Sequence, residues 1–464
     1  MSDPPREERA LLGVGDGISV VIGIVVGVSL FRVPGPVFAS VDAAWQGLAM
    51  WALGGALSLV GALCYAELAS AYPRSGGDYV YLTRAFGPAA GFLFGWAQLV
   101  AIASGSIGAL AYVFADYARV LWPAASGAGL AAAVVVALTL PNLLGVEISR
   151  RVQNTLTLVK VAGLAGIVIA ALLAPAPAPP AATFAGGGGL GFALILVLYA
   201  YGGWNDAAFI AAEVREPQRN VPRVLLLGTA AIAAVYLLVN AAYLVALGFD
   251  GLRASQAPAA DVLAATAGSK GAAAISVLVM LSALGAIQGV VFTGARIHAS
   301  VGRDHAALAA LSRWHPRFGT PVRALLAQSA VALAWIAGVG TAAGRSAIDA
   351  ALTAAGLPAL PWQRFGGGFD TLVAGTAPAF WLFFLGSGAA LLVLRRRDPA
   401  TSRPFRVPGF PWTPLLFCAS CLYMLYASLD YARGLAVLSL APLLVGALLE
   451  RATRRGGRRP PRAP

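Results

Sequence analysis

Long stretches without charge constrain the fold of this chain more than any other feature of its sequence. A transmembrane helix needs about 20 predominantly apolar residues, and eight uncharged windows exceed that length. Because 59% of the 464 residues are hydrophobic and only 11% are charged, against about a quarter charged in soluble domains, a soluble multidomain enzyme is excluded. The uncharged windows are 43–66, 85–115, 120–146, 224–249, 271–295, 324–344, 371–394 and 407–429.

Four further apolar stretches complete a set of twelve predicted spans. They are 17–40, 152–174, 189–213 and 434–449; the first three contain Arg32, Lys160 and Asp206. The first stretch is long and lacks a small-residue cleavage site, so we expect it to remain as a helix. The sequence therefore predicts an all-α integral membrane protein with twelve transmembrane helices.

Basic residues fix the predicted orientation. A formal charge of +13 could indicate nucleic acid binding, but with the N-terminus inside, most of the 33 lysines and arginines fall in inward connections and in the C-terminal tail. The reverse topology would translocate Arg395-Arg396-Arg397 and the cluster at 454–462, against the positive-inside rule. We therefore expect both termini in the cytoplasm, a lipid bilayer as the surroundings, and no nucleic acid partner.

Glycines interrupt two of the predicted spans at corresponding places. Gly23 and Gly27, followed by Ser29, lie in the first span, and Gly202-Gly203 lie in the sixth. Five helices per half would make the two halves inverted repeats, and paired helix breaks in such halves indicate a binding site near the membrane midplane. Unwound backbone inside a membrane needs a cavity or a ligand to satisfy its polar groups.

The two breaks predict complementary chemistry. After the first break, a half-helix beginning near Val28 and Ser29 would point its N–H groups at a carboxylate; a simple GxxxG packing face is the alternative. At the second, freed carbonyls beside Tyr199, Tyr201 and Trp204 could accept from an ammonium group, with Asn205 as a neutral donor and acceptor; an interfacial aromatic belt is the alternative. Such a site fits a zwitterion, which indicates an amino acid.

Two charged residues lie deep inside predicted spans. An ionisable group within the membrane suggests function, so we expect Lys160 to exchange a proton or to act as a fixed cation between helices; snorkelling to the interface is the alternative. Asp206 could pair with a basic substrate group, titrate, or face a wet vestibule. Arg32, in the outer half of the first span, could line the outward vestibule or snorkel.

Other polar residues are expected to be structural. We expect Glu67 and Glu213, at helix ends, to pair with arginines or backbone N–H groups, and His298, His305 and His315 to lie on a solvated loop. The three cysteines lie in apolar runs, and no catalytic triad or metal-ligand cluster is visible, so no enzyme activity and no cofactor are expected.

The residues that predict the site also carry a family resemblance across the first ten spans. The chain resembles the amino acid, polyamine and organocation superfamily, most closely its L-type amino acid transporter branch and bacterial relatives. The motifs that carry the resemblance are Ile22-Gly23-Ile24-Val25-Val26-Gly27, Tyr65-Ala66-Glu67-Leu68, Ser75-Gly76-Gly77-Asp78-Tyr79, Tyr201-Gly202-Gly203-Trp204-Asn205 and Glu216-Pro217-Gln218-Arg219-Asn220-Val221-Pro222.

The resemblance implies a five-plus-five inverted-repeat core with two added helices. The implied division is a cytoplasmic tail at 1–12, a first repeat at 13–174, a second at 189–395, two extra helices at 407–450 and a basic tail at 451–464. It also implies residence in the plasma membrane, which is the inner membrane in bacteria.

The resemblance further implies roles for individual residues. Backbone at Val25, Gly27, Val28 and Ser29 would bind the substrate carboxylate and, with the Tyr199 and Gly202 carbonyls, its amine. Trp204 and Asn205 would shape the side-chain pocket or gate it. Lys160 would take the place of a sodium ion. Val28 departs from the family's usual Gly-Ser-Gly, and the 116–126 connection lacks the cysteine that would link a heavy chain, so no disulfide-linked partner is expected.

We therefore expect a sodium-independent transporter of neutral L-amino acids, working by alternating access as a proton symporter or an exchanger. A cationic amino acid or polyamine carrier is the alternative within the class, with Asp206 as the ammonium partner. A membrane receptor without transport is the alternative from another class.

Overall fold

A computed structural model describes residues 10–175, 188–365 and 367–456. Within these ranges the chain forms helices and no β-strand; Leu12 and Val214 make one isolated bridge. The all-α prediction is therefore confirmed for the described residues. Most of the predicted N-terminal tail, of the 174–189 connection and of the basic C-terminal tail lies outside them.

Eighteen α-helices, one π-helical segment and four 3₁₀ segments make up the described chain. The α-helices are α1 Val14–Val25, α2 Ser29–Arg32, α3 Pro34–Ala39, α4 Ala44–Ala71, α5 Asp78–Phe86, α6 Pro88–Ala97, α7 Ala103–Leu121, α8 Gly127–Leu143, α9 Val146–Leu173, α10 Gly189–Ala200, α11 Pro217–Ala254, α12 Pro258–Ala267, α13 Ser269–Asp304, α14 Val322–Gly340, α15 Ala342–Ala354, α16 Gly368–Arg397, α17 Trp412–Ala432 and α18 Val437–Gly456. The π-helix is Gln98–Ile102, and the 3₁₀ segments are Trp204–Glu213, Ala306–Ser312, Trp362–Arg364 and Arg433–Ala436.

Nine stretches of the described chain are long and apolar enough to cross a bilayer. Two apolar helices, α1 and α8, are shorter, and one long stretch, Trp412–Thr453, runs through both α17 and α18. Large apolar side chains such as Leu158, Leu173 and Leu238 are exposed on the outer surface, which only a lipid environment tolerates over so many helices. A multi-pass membrane protein follows, while the twelve separate crossings stay a prediction.

Both predicted interruptions are present. The first span ends as a helix at Val25, runs through an extended Val26 and resumes at Ser29. The sixth ends at Ala200 and resumes at Trp204 as a 3₁₀ helix. Helix α1 packs against α9, α11 and α13 and against the Trp204–Glu213 segment, so the two breaks lie side by side inside the bundle.

Glu67 and Glu213 each form an ion pair with arginine side chains. The Glu67 carboxylate accepts from Arg395 Nε at 2.7 Å and lies 3.4 Å from Arg403 Nε. Glu213 accepts from Arg296 Nε at 2.7 Å, and both side chains are 1% exposed. The prediction that the two glutamates pair with arginines is confirmed.

One predicted boundary is wrong. The sequence placed the start of a loop at Arg296, with His298 on its solvated surface, but α13 continues to Asp304 and both side chains are buried. The error arises because Glu213, far away in sequence, neutralises Arg296 and lets the helix carry a charge through the protein interior. A 3₁₀ segment, Ala306–Ser312, follows α13.

Candidate functional site

A cavity of about 190 Å³ lies between the two interrupted helices. This volume is below the ~300–1,000 Å³ of drug-sized sites, so the cavity fits a small molecule. Residues of both breaks line it together with α7, α13 and α16. Among the predicted site residues, those that line the cavity are Val25, Gly27, Val28, Ser29, Tyr199, Gly202, Asn205 and Asp206.

The first break offers hydrogen-bond donors. The backbone N–H groups of Gly27, Val28 and Ser29 form no hydrogen bond with any described residue. Unpaired N–H groups in a protein interior are rare and costly, and three in succession at the start of a helical turn attract an anion. The geometry therefore supports the predicted carboxylate position.

Gly23 and Gly27 differ in their surroundings. A Cβ on Gly23 would lie 1.9 Å from Gln153 Nε2 and 2.7 Å from Thr157 Oγ1, whereas a Cβ on Gly27 would find its nearest neighbour at 3.8 Å. Gly23 thus permits close packing against α9, whereas a Cβ on Gly27 would make only ordinary contacts. The packing alternative therefore describes Gly23, while Gly27 lines the cavity and its binding role stays a prediction.

The second break offers acceptors. Gly203 has φ +107°, a left-handed backbone that favours glycine, and this turn separates α10 from the 3₁₀ segment. The Gly202 carbonyl accepts no hydrogen bond from a described residue, while the Tyr199 carbonyl already accepts from Gly202 N–H at 3.1 Å. Gly202 therefore provides the freer of the two predicted carbonyls.

Tyr236 of α11 connects the two breaks, a role that no feature of the sequence indicates. Its hydroxyl lies 2.8 Å from the Val25 carbonyl and 2.9 Å from the Ala200 carbonyl. These are the last residues of α1 and α10, so one hydroxyl lies within hydrogen-bond distance of the helix end at each break. No spacing marks this tyrosine among the 13 in the chain.

Lys160 is fully buried in α9, and its ammonium donates to the Gly23 carbonyl at 2.7 Å. A cation beside the last turn of a helix is stabilised by the helix dipole. No carboxylate pairs with it within the described ranges. Snorkelling is therefore wrong, and the lysine bridges α9 to the broken first helix.

Asp206 faces the cavity from the first turn after the second break. Thr293 Oγ1 lies 3.1 Å from Asp206 Oδ2 and 3.0 Å from the Gly289 carbonyl, and its single proton serves one of them at a time. Apart from the Tyr199 phenol, Asp206 is the ionisable side chain in the cavity lining. An underpaired carboxylate there favours a proton or a cationic group.

Two predicted aromatic residues lie away from the cavity. The Trp204 ring packs against Tyr65 and Phe384 at centroid distances of 5.2 and 5.3 Å. The Tyr201 hydroxyl donates to the Trp51 carbonyl at 3.1 Å. Neither belongs to the cavity lining, so a gating role for Trp204 stays a prediction.

Gln98 lines the cavity at the start of the π-helical segment between α6 and α7. A π-turn widens a helix locally and often marks a functional site. Because π-turns leave no clear mark in the sequence, this residue could not have been singled out beforehand.

An all-helical membrane protein whose two interrupted helices face one buried cavity has the architecture of a secondary transporter. Residues 12–447 match the family described as amino acid permease. The chain belongs to this amino acid permease family, which confirms the resemblance and the expectation of a transport protein rather than an enzyme.

Individual relatives cover most of the chain. It is 30% identical to the human b(0,+)-type amino acid transporter 1 over 86% of this chain and 78% of the relative. It is 27% identical to the human cystine/glutamate transporter over 92% of this chain and 82% of that protein. With human large neutral amino acids transporter small subunit 2, identity is 30% over 68% of this chain and 62% of the relative.

Proposed function

We propose that the protein is a sodium-independent secondary transporter that moves a neutral L-amino acid by alternating access. The observation that carries the proposal is that three N–H groups at one break and a carbonyl at the other, all without a hydrogen-bond partner in the described part of the chain, belong to residues that line one small cavity. Donors on one side and acceptors on the other suit a carboxylate and an ammonium held on one carbon atom. The three relatives named above are all transporters of amino acids by their names.

The proposed architecture has twelve crossings. Helices α1–α3 form the first, α10 with its 3₁₀ continuation the sixth, and α17 and α18 the last two. Residues 13–174 and 189–395 form the inverted repeats, and each contributes one broken helix. With the basic residues inside, both termini are cytoplasmic and the membrane is the plasma membrane, the inner one in a bacterium.

Lys160 supports sodium independence. Its ammonium already occupies a position beside the C-terminal turn of α1, where a carbonyl would otherwise be available to a metal cation. Coupling is then to protons or to a second amino acid that returns in exchange. The proposed protein acts without a disulfide-linked heavy chain.

Uptake into proteoliposomes tests the proposal. The purified protein is reconstituted and offered a panel of labelled amino acids, with and without sodium, a pH gradient or internal amino acid. We expect saturable uptake of at least one neutral amino acid that does not depend on sodium. Absence of uptake and exchange for every amino acid would overturn the proposal and favour a receptor.

Asp206 supports a second candidate, a carrier of cationic amino acids or polyamines. Its carboxylate faces the cavity with one shared donor, so a substrate ammonium or guanidinium group could pair with it. In this case Asp206→Asn reduces uptake of lysine or arginine by at least about tenfold, because a charge-assisted hydrogen bond is lost, and leaves neutral uptake unchanged.

The matched control is Asp116→Asn, which neutralises an exposed carboxylate on α7. Equal loss of neutral and cationic uptake in the Asp206 variant would argue against a charge-selective role. Unchanged uptake of both classes would exclude contact between Asp206 and the transported side chain.

A further inference from the structure

Asp78 is a buried carboxylate that the proposed transport mechanism does not yet use. It is the first residue of α5, is 2% exposed, and accepts hydrogen bonds from the Tyr65 and Ser387 hydroxyls and from Asn205 Nδ2, the last at 3.4 Å. No basic side chain of the described ranges forms an ion pair with it. Burial raises its pKa to about 6, against the opposing effect of these hydrogen bonds. All three neighbouring groups donate to it, an arrangement that fits the ionised form, which only accepts.

An ionised Asp78 determines how Asn205 is turned. A carboxylate accepts hydrogen bonds and has no proton to give, so the neighbouring amide must present its NH₂ group to it. The oxygen then lies on the other branch of the amide. Asn205 Oδ1 is buried and has no hydrogen-bond partner among the described residues, although Asn205 lines the cavity.

Buried acceptors are normally hydrogen-bonded, so an unpaired one beside a binding cavity indicates that the ligand supplies the donor. An ammonium group provides three N–H donors and no acceptor. The Gly202 carbonyl, three residues earlier on the same break, is also unpaired among the described residues. The second break therefore carries two oxygens that have no hydrogen-bond partner among the described residues.

We propose that Asp78 is a positioning residue that holds the Asn205 amide in the orientation that offers its oxygen to the substrate ammonium group. The inference rests on the proposed amino acid transport and adds a residue outside the cavity to its recognition site. A purely structural Asp78 would instead only fasten the 3₁₀ segment to α4 and α16.

Exchanging the two side chains separates these roles. Asp78→Asn places an NH₂ group opposite Asn205, whose amide must rotate and present N–H to the cavity. Asn205→Asp places two carboxylates side by side. The double variant, Asp78→Asn with Asn205→Asp, restores a donor opposite an acceptor and returns an oxygen to the cavity.

The probe is the labelled amino acid that shows the highest uptake in proteoliposomes, in competition with its α-hydroxy acid. We expect Asp78→Asn to raise KM at least about tenfold, the cost of one misdirected buried hydrogen bond. The double variant should return KM to within about threefold of the unmodified protein. The α-hydroxy acid should lose less affinity than the amino acid in Asp78→Asn, because a hydroxyl can accept as well as donate.

Asp304→Asn is the matched control, because Asp304 accepts from the hydroxyl of Tyr79, also on α5, at 2.7 Å but lies outside the cavity lining. It should leave KM unchanged. If Asp78→Asn fails to fold, the double variant still distinguishes the positioning role from a purely structural one, since it is expected to fold and transport. Uptake by the unmodified protein with no rescue in the double variant, or with unchanged KM in Asp78→Asn, would overturn the inference alone. No uptake by the unmodified protein would overturn the proposed function and this inference with it.

Discussion

Lys160 is the clearest single-residue test of coupling. Lys160→Ala removes the only charged contact to the Gly23 carbonyl seen in the described structure and leaves a space in the buried face of α9. We expect the variant to insert in the membrane and to lose coupled transport, by about tenfold or more, since a buried charge-assisted hydrogen bond contributes ~1.5–3 kcal/mol. The measurement is uptake driven by a pH gradient or by exchange.

Two companion variants sharpen this test. Lys160→Met keeps most of the side-chain volume and should behave like the alanine variant if the charge matters. Arg151→Ala removes a basic residue from the exposed face of the same helix and should have little effect. Full coupling in the methionine variant would contradict the role given to the ammonium group.

At the residue scale, charge was predictable from the sequence and neutral polar contacts were not. A lone lysine in an apolar span stands out because burial of charge is costly. Tyr236 is neutral and Asp78, although charged, lies outside the predicted spans, so neither was marked; their importance lies in partners far away in sequence, Val25 and Ser387. Only the packed structure brings those groups together.

At the scale of the element, the first broken helix provides a matched pair of glycine variants. Gly23→Ala forces a Cβ against the side chains of Gln153 and Thr157, and such overpacking costs about 1–3 kcal/mol. Gly27→Ala meets no atom closer than 3.8 Å. We expect a lower melting temperature for the first variant and an unchanged one for the second, measured by thermal unfolding in detergent.

We expect the two glycine variants to differ in transport as well as in stability. A methyl group on Gly27 enters the cavity beside the unbonded N–H groups and should weaken substrate binding while the fold persists. Equal stability and equal transport activity of the two variants would contradict the assignment of Gly23 to packing and Gly27 to the binding cavity.

Helix breaks were predictable because glycines clustered within an apolar span favour an interrupted helix, since glycine readily adopts the backbone angles of a turn. Helix ends were less predictable. Each uncharged window was taken to end at the next charged residue, yet α13 continues through Arg296 because Glu213 neutralises that charge inside the protein. The π-turn at Gln98 was beyond prediction for a similar reason, since it depends on packing and not on local residue type.

At the scale of the whole molecule, orientation is open to a direct experiment. Single cysteines at Ala124, between α7 and α8, and at Ala400, between α16 and α17, lie at exposed positions. With Cys64, Cys418 and Cys421 replaced, a membrane-impermeant maleimide should label the first site in intact cells and the second only after permeabilisation. The positive-inside rule gives this expectation.

Labelling of Ala400→Cys but not Ala124→Cys in intact cells would show that the topology is the reverse of the proposed one. Labelling of both sites in intact cells would show that the two connections lie on the same side of the membrane. The permeabilised sample controls for reactivity at each position. Because Ala124 lies within the proposed first repeat and Ala400 follows the proposed second one, labelling on opposite sides also requires an odd number of crossings between them.

The Tyr236 hydroxyl couples the energies of the two interrupted helices. One proton is shared by two carbonyl oxygens, one at the end of each interrupted helix, and a single proton cannot fully satisfy both. Displacing either helix end leaves the proton to the other, so the energy of one break depends on the position of its counterpart. A ligand that touches only one of the two interrupted helices thereby changes the stability of the other, and the two breaks become thermodynamically linked through a single hydrogen atom.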